Sequence, residues 1–198
     1  MKLEESKTFL NLAKDFAGEC QARTRYKFIE YGARKEGLNC LAEVIDKVVF
    51  NEFNHARMFY TFIQKVKNDD ALQKIEFCAD YPFKQKWNLE ENLRISAEDE
   101  FAEFSEIYPM HKKIAKEEGY EDIAKLYEYI IGVENCHHML FAELHKQVKE
   151  GSMYKKSEPV KWKCVACGYE HVGLEAWKTC PLCFASQGMV MLHLSDEK

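Results

Sequence analysis

Residues 45–59, Ile-Asp-Lys-Val-Val-Phe-Asn-Glu-Phe-Asn-His-Ala-Arg-Met-Phe, place one acid, Glu52, within the apolar stripe of a predicted helix. Apart from His55, the positions three, four and seven residues away from Glu52 are apolar, and such positions share one helix face. A buried carboxylate without a partner is costly, so a bound cation is the simplest explanation. Because His55 follows Glu52 by three residues, both side chains can reach the same ion.

The same placement of an acid recurs in three further predicted helices. Each helix has one glutamate on its apolar face, and these are Glu19, Glu100 and Glu134. Glu134 also begins a second Glu-x-x-His motif, which ends at His137. One Glu from each of two helices and Glu-x-x-His from each of the other two is the ligand set of carboxylate-bridged di-iron bundles. The sequence therefore predicts a dinuclear metal site, against the alternative of solvated acids on helix faces.

Apolar periodicity predicts four helices, and tight turns join them in pairs. The predicted helices cover about residues 3–36, 38–67, 90–118 and 120–149. The short turns make each pair an antiparallel hairpin, and residues 68–88 are long enough to cross back along the bundle. The predicted fold is an all-α four-helix bundle, ferritin-like with one long crossover. Pro109, inside the third helix, is expected to kink it or to sit at a bulge.

The two predicted hairpins repeat each other to within one residue. Gly37 follows Glu19 by 18 residues and Gly119 follows Glu100 by 19, while 15 residues separate each glycine from the next glutamate. Chance does not readily supply this symmetry, which favours a shared metal site over four independent surface acids.

Further polar residues fall near the predicted site. Glu103 follows Glu100 by three residues and is expected to face the same cavity, which gives two ions seven candidate ligands. Five carboxylates match a diferric pair and four match a diferrous pair, so we hypothesise that Glu103 and His55 alternate as ligands with redox state.

Tyr26 and Tyr108 can hydrogen-bond ligating carboxylates, or can simply pack in the core. His138 is expected either to support a ligand from behind or to have a structural role, rather than to bind an ion itself. Ordinary packing or surface positions are expected for His111, His145, His171 and His193.

Four of the eight cysteines form two C-x2-C motifs that are separated by twelve residues: Cys164, Cys167, Cys180 and Cys183. Two such turns let four thiolates converge tetrahedrally on one metal, which can be zinc or iron. The segment from Trp162 to Tyr169, followed by Cys180-Pro-Leu-Cys183, resembles rubredoxin. We predict a bundle over residues 1–153 and a small metal-stapled β domain over 154–198. The scattered cysteines Cys20, Cys40, Cys78 and Cys136 are expected to be small buried hydrophobes.

Composition excludes several classes of protein. With 46% hydrophobic and 31% charged residues, the 198-residue chain can bury a core and is not intrinsically disordered. The net charge of −5 comes without a basic stripe, so no nucleic-acid partner is expected. The sequence has neither a long apolar run nor a signal-peptide pattern. We therefore expect no membrane association, and we expect a cytoplasmic location in which cysteines serve as metal ligands.

Taken together, these motifs resemble the rubrerythrin family over nearly the whole chain. The resemblance is carried by the segment Phe16–Tyr26, the two Glu-x-x-His motifs, Glu100-x-x-Glu103 followed by Tyr108-Pro109, and the four C-terminal cysteines. It implies a di-iron peroxidase that reduces hydrogen peroxide to water, with a four-cysteine iron returning electrons one at a time. It also implies a head-to-tail homodimer and an electron donor such as a rubredoxin or a pyridine-nucleotide-dependent flavoprotein reductase.

Two other functions remain open on the sequence alone. An iron-handling ferroxidase needs the dinuclear site but gives no reason for an attached electron carrier. A helical bundle with a structural zinc ribbon that recruits a partner would instead hold zinc on the four cysteines.

Overall fold

The computed structural model describes residues 2–66, 74–78 and 87–194, and it confirms a predominantly helical fold with a small C-terminal β region. The α-helices are α1 (Lys7–Lys35), α2 (Asn39–Ile63), α3 (Leu89–Ala102), α4 (Tyr108–Glu117) and α5 (Glu121–Glu150). A π-helical turn, Glu103–Ile107, joins α3 to α4. None of the described helices combines the length and the apolarity needed to cross a membrane.

The two helical hairpins have the tight turns that the sequence predicts. Gly37 joins α1 to α2 with a φ of 78°, and Gly119 joins α4 to α5 with a φ of 86°. Glycine has no Cβ, so it adopts this left-handed conformation without steric cost. The chain therefore reverses within a few residues at each point, and α1 packs against α2 while α3 and α4 pack against α5.

The predicted third helix is a single path of α3, the π turn and α4, and the prediction of a bulge near Pro109 is confirmed. Proline lacks an N–H group and its ring clashes with the carbonyl group four residues earlier, so a regular α-helix cannot continue through it. The π turn ends at Ile107, two residues before Pro109, and adds one residue to the helical path.

The core of the bundle consists of two apolar clusters. One includes Tyr26, Leu93 and Phe141, and the other includes Leu12 and Phe59. On each helical path the predicted ligand glutamate lies between members of the two clusters, so the acids form a polar layer across an apolar core. The crossover predicted for residues 68–88 lies mostly outside the described residues, and residues 74–78 are neither helix nor strand.

Beyond α5, two antiparallel strands, β1 (Lys155–Lys163) and β2 (Glu170–Glu175), form a small sheet. Its apolar centre is Trp162, which is fully buried against Ala176 and Val190 and donates its Nε1–H to the carbonyl oxygen of Gly173 at 3.0 Å. This centre is small, so the unit depends on its cysteine cluster for stability.

The C-terminal region packs against the turn between α1 and α2. Gly188, in a 3₁₀ turn at Gln187–Met189, lies so close to Gly37 that an added Cβ would stand 1.6 Å from the Gly37 carbonyl oxygen. Leu192 joins the apolar cluster of the bundle, and the Gln147 side chain donates to the carbonyl oxygen of His193 at 2.6 Å. The two parts of the chain therefore share a packed surface.

Substituting Gly188→Ala should destabilise the protein by about 1–3 kcal/mol, because the methyl group collides with backbone rather than with a movable side chain. Thermal unfolding measures this loss. Gly132→Ala is the matched control, since an added Cβ meets nothing within 4 Å there and should leave stability unchanged or raise it by about 0.5–1 kcal/mol. Equal unfolding temperatures for Gly188→Ala and the wild type would contradict the described packing.

Candidate metal centres

Six side chains that the sequence singled out converge in the polar layer of the bundle. They form two overlapping groups, and within each group the candidate ligand atoms lie within 4.8 Å of one another. The first group is Glu19, Glu52, His55 and Glu134, and the second is Glu52, Glu100, Glu134 and His137. All six residues are buried. Because Glu52 and Glu134 belong to both groups, the arrangement has two shared carboxylates at its centre and two distinct ends.

The imidazoles face the shared carboxylates in matching ways. His55 Nδ1 lies 2.8 Å from Glu134 Oε1 and 3.1 Å from Glu52 Oε2. His137 Nδ1 lies 2.8 Å from Glu134 Oε2 and 2.9 Å from Glu52 Oε1. Each imidazole therefore meets one oxygen of each shared carboxylate, and the two rings are 5.8 Å apart between centroids.

Several candidate ligand atoms in this layer make no hydrogen bond of acceptable geometry within the described residues, although some of them lie close to one another. They are Glu19 Oε2, Glu52 Oε1, Glu100 Oε2, Glu134 Oε1, Glu134 Oε2 and His137 Nδ1. Leaving so many buried polar atoms unpaired is costly, whereas a pair of cations would satisfy them together. Carboxylate oxygens and imidazole nitrogens suit iron, manganese or zinc, so these residues fit a dinuclear metal site.

The electrostatics of the layer also favour bound cations. Burial raises the pKa values of Glu19 and Glu100 well above the usual range, and the charges of Glu52 and Glu134 add to this effect. Burial would lower the pKa of His137, but the adjacent carboxylates of Glu134 and Glu52 raise it to about 9. Without metal, protons therefore supply the positive charge that the carboxylates require.

Two buried tyrosines hold the end carboxylates. Tyr26 donates its hydroxyl to Glu100 Oε1 at 2.5 Å, and Tyr108 donates its hydroxyl to Glu19 Oε1 at 2.5 Å. In each case the other carboxylate oxygen, Oε2, is the one without a partner. The tyrosines therefore orient Glu19 and Glu100 so that one oxygen of each is available to an ion.

Glu103 lies apart from the two groups. It occupies the first position of the π turn and is half-buried, and none of its atoms belongs to either cluster. Burial, followed by the charges of Glu134 and Glu52, raises its pKa well above the usual range, so it still lies within electrostatic reach of the site. His138 also lies outside the groups, and its Nδ1 is 2.8 Å from the carbonyl oxygen of Ala97.

Two sets of residues near the site did not emerge from the sequence. Asn51 Nδ2 lies 3.1 Å from His137 Nε2, on the side of the imidazole away from the carboxylates. His111, expected at the surface or in ordinary packing, is buried and hydrogen-bonded to Asp15, which also accepts the Tyr127 hydroxyl. Asp15 precedes Glu19 by four residues on the same helix face, and this spacing was the available signal.

The four C-terminal cysteines form a second centre, with all four sulfurs within 4.8 Å of one another. Sγ atoms are 3.8 Å apart between Cys164 and Cys183 and 3.7 Å apart between Cys167 and Cys180. A tetrahedral ion with metal–sulfur bonds of about 2.3 Å requires sulfurs about 3.8 Å apart. Burial raises the pKa of Cys180, but backbone N–H groups of Cys183 and Leu182 outweigh it and lower the pKa to about 7. These residues fit one thiolate-bound metal ion.

The two cysteine turns are alike but carry different residues at their left-handed position. Gly168 donates its N–H to the carbonyl oxygen of Cys164 at 2.8 Å, and Phe184 donates to that of Cys180 at 2.9 Å. Phe184 has a φ of 60°, a backbone conformation that residues other than glycine rarely adopt. Phe184 is 79% exposed and follows the exposed Cys183 in sequence.

The prediction for the scattered cysteines is wrong at three positions. Cys20, Cys78 and Cys136 are exposed, and only Cys40 is buried. Cys20 and Cys136 adjoin Glu19 and His137 in sequence, so the helical period turns them away from the core. Burial, together with the charges of Glu43 and Cys164, raises the pKa of Cys40 to about 11.

The fold and the two centres define a ferritin-like carboxylate bundle with a rubredoxin-like C-terminal region. A family model described as Rubrerythrin matches residues 10–145, and one described as Rubrerythrin, rubredoxin-like domain, matches residues 162–189. The chain belongs to the rubrerythrin family.

Individual relatives agree with this assignment. The chain is 40% identical to a rubrerythrin of Clostridium perfringens and 35% identical to rubrerythrin-1 of Clostridium acetobutylicum, in each case over 93% of both chains. Its fold is similar to that of nigerythrin in a fully reduced, all-ferrous state, with a TM-score of 0.62, 22% identity and coverage of 97% of this chain and 92% of that one. Bacterioferritin of Desulfovibrio desulfuricans matches with a TM-score of 0.64 and 24% identity, over 73% of this chain and 81% of that one.

Proposed function

We propose that this protein is a non-haem di-iron peroxidase that reduces hydrogen peroxide to water, with electrons entering through the four-cysteine iron centre. The observation that supports this proposal is the presence, in one chain, of a buried carboxylate–imidazole layer fit for two ions and a four-thiolate centre fit for one. Each peroxide takes up two electrons and two protons and yields two water molecules. When bound, a pair of irons in the carboxylate layer would supply both electrons to the O–O bond, and an iron on the four thiolates would replace those electrons one at a time.

In this proposal the chain's own residues hold the irons and keep bulk water away from them. Glu52 and Glu134, which belong to both groups, would hold both ions, while Glu19 with His55 would hold one ion and Glu100 with His137 the other. Burial of all six excludes bulk water from the pair. The bundle domain is assigned to residues 1–153, and the rubredoxin-like domain, with Cys164, Cys167, Cys180 and Cys183 as ligands, to residues 154–198.

Glu103 is proposed as a ligand that binds in only one redox state. The described arrangement brings His55 into the group at the Glu19 end and leaves Glu103 nearby on the π turn. This arrangement presents four carboxylates, which match the charge of a diferrous pair. A fifth carboxylate from Glu103, in exchange for His55, would better neutralise the diferric pair.

The path of electrons is proposed to run between two chains of a homodimer. Within one chain, Gly188 packs on Gly37 just before α2 begins, and Val190 pairs with Cys164. Twelve residues of α2 separate Cys40, near this beginning, from Glu52, a rise of about 18 Å. α1 and α2 also expose aromatic side chains, among them Phe28 and Phe50 at 65% each, with Phe53 beside Phe50. An exposed aromatic surface of this kind is typical of an interface, and a head-to-tail partner can bring its own cysteine centre nearer to Glu52.

The external donor is proposed to be a rubredoxin or a pyridine-nucleotide-dependent flavoprotein reductase, in the reducing environment of the cytoplasm. Exposed Phe184 and Cys183 offer this donor direct access to the thiolate centre. A ferroxidase would need only the bundle, and a zinc-ribbon binding module would leave the buried glutamates without a purpose. The peroxidase accounts for both centres.

The purified protein is expected to contain three irons per chain and a visible thiolate-to-iron band that bleaches on reduction and returns when hydrogen peroxide is added. Cys180→Ser should abolish this band and steady-state turnover with a reductant. The chemically reduced variant should still consume one peroxide per bundle, since its dinuclear ligands are intact. Cys78→Ser, at an exposed cysteine outside both centres, is the control. A colourless protein with zinc on its cysteines after anaerobic reconstitution with iron would contradict the proposal.

Mixed dimers test the route between chains. Cys180→Ser removes one cysteine centre and Glu52→Gln disables one dinuclear site, so each homodimer alone should be inactive. Mixing the two chains should restore turnover, because the intact cysteine centre of one chain then serves the intact bundle of the other. If electrons pass within a chain, the mixture stays as inactive as either parent.

Glu103→Gln should leave ferrous binding unchanged and raise the reduction potential of the dinuclear site, since the lost carboxylate is the one proposed to stabilise the ferric pair. A redox titration followed by visible absorption measures the shift. Crystals of the oxidised and reduced wild-type protein that show identical ligands at both ions would refute the exchange.

A further inference from the structure

The two halves of the bundle are related by an internal repeat, and the structure explains its one-residue irregularity. Tyr26 follows Glu19 by seven residues, whereas Tyr108 follows Glu100 by eight. The π turn Glu103–Ile107 lies between Glu100 and Tyr108 and inserts the additional residue. The two tyrosines are therefore equivalent, and each donates its hydroxyl to the end glutamate of the other half.

The packing around the two tyrosines repeats as well. Tyr108 lies against Phe59 with ring centroids 5.8 Å apart, and Tyr26 lies against Phe141 at 4.8 Å. Phe59 follows Glu52 by seven residues, as Phe141 follows Glu134. Each end of the dinuclear site thus has the same support, a glutamate held by a tyrosine that packs on a phenylalanine.

One polar group breaks the repeat. Asp15 Oδ2 accepts hydrogen bonds from Tyr127 Oη at 2.5 Å and from His111 Nδ1 at 2.9 Å. We call these three residues the Asp15 network. Asp15 belongs to α1, His111 to α4 and Tyr127 to α5, and each is at most 6% exposed. The network ties three helices together one helical turn beyond the Glu19 end.

The repeat shows what the fold requires at these positions. The residues equivalent to the Asp15 network in the other half are Ser96, Ile29 and Ile45, all of them buried. Two isoleucines and a serine therefore fill the same space without a buried carboxyl or imidazole. Burying an aspartate and a histidine is unfavourable compared with apolar packing, so folding alone does not account for the network.

The network contacts the group that holds Glu19. The ring of Tyr127 lies 5.9 Å from that of Tyr108 and 5.9 Å from that of His111. Phe59 packs on both tyrosines. Because Asp15 fixes the hydroxyl of Tyr127, the Tyr108 ring is enclosed by side chains whose own positions are fixed.

We propose that Asp15, His111 and Tyr127 are positioning residues for the Glu19 end of the dinuclear site and act through Tyr108. They keep the Tyr108 hydroxyl on Glu19, so that this carboxylate stays in place at the end where His55 and Glu103 are proposed to exchange. At the Glu100 end, the equivalent positions hold Ser96, Ile29 and Ile45, which supply neither a carboxyl group nor an imidazole. This inference rests on the proposed dinuclear site.

Cobalt binding to the metal-free protein tests the proposal without reference to peroxidase activity. Co²⁺ at the bundle and Co²⁺ at the four cysteines differ in spectrum, because only the thiolates give sulfur-to-cobalt charge-transfer bands. In the wild-type background, Asp15→Asn should lower the affinity of the bundle for one of its two cobalt ions by about tenfold. Tyr127→Phe removes only the hydroxyl that Asp15 holds and should lower the affinity to a similar extent. This second variant keeps the test valid if Asp15→Asn does not fold.

A double-mutant cycle separates positioning from general loosening of the fold. In a Tyr108→Phe background, Asp15→Asn and Tyr127→Phe should weaken cobalt binding less than about twofold, because the hydroxyl through which they act is already absent. In a Tyr26→Phe background, which alters the Glu100 end, their full effect should remain.

Equal weakening in the wild-type and Tyr108→Phe backgrounds would overturn the proposal, as would unchanged cobalt affinity in both variants. Wild-type protein that binds cobalt only at its cysteines would instead show that the proposed dinuclear site fails, and the inference with it. If the bundle still binds two cobalt ions but the effects of Asp15→Asn and Tyr127→Phe do not depend on Tyr108, the inference is overturned while the proposed dinuclear site stands.

Discussion

The structure depends on the burial of four carboxylates and two imidazoles in the middle of an apolar bundle. Such a layer is unstable by itself, because burial disfavours charge on Glu19 and Glu100 and the shared carboxylates repel them further. Two bound cations would relieve both effects at once. The apolar clusters on either side of the layer then supply the packing energy, and the layer determines what the protein binds.

The internal repeat explains how the ligands reach this layer. Each hairpin delivers a lone glutamate from its first helical path and a Glu-x-x-His motif from its second. Because the hairpins pack against each other, the lone glutamates occupy opposite ends and the motif glutamates meet in the centre. Two shared and two terminal carboxylates follow from one duplicated pattern.

Local sequence signals predicted the fold and singled out the six side chains that converge in the buried layer, although Glu103, also predicted as a ligand, lies outside both groups. Helical periodicity placed the acids on buried faces, glycines marked the hairpin turns, and the cysteine spacing indicated a tetrahedral centre. Contacts between helices could not be derived in this way, which is why Asn51 beside His137 and the Asp15 network were missed. The exposure of Cys20 and Cys136 is a matter of helix phase, which their hydrophobic character did not reveal.

Differences between the two ends must come from residues that break the repeat. Glu103 is one, since its equivalent three residues after Glu19 is the buried Ala22. The π turn is another, because only the second hairpin contains it within the described residues. Glu103, the π turn and His111 all lie on the same helical path. A strictly repeated bundle would offer two equivalent ends to its ions, whereas Glu103, the π turn and the Asp15 network make the two ends of this one different.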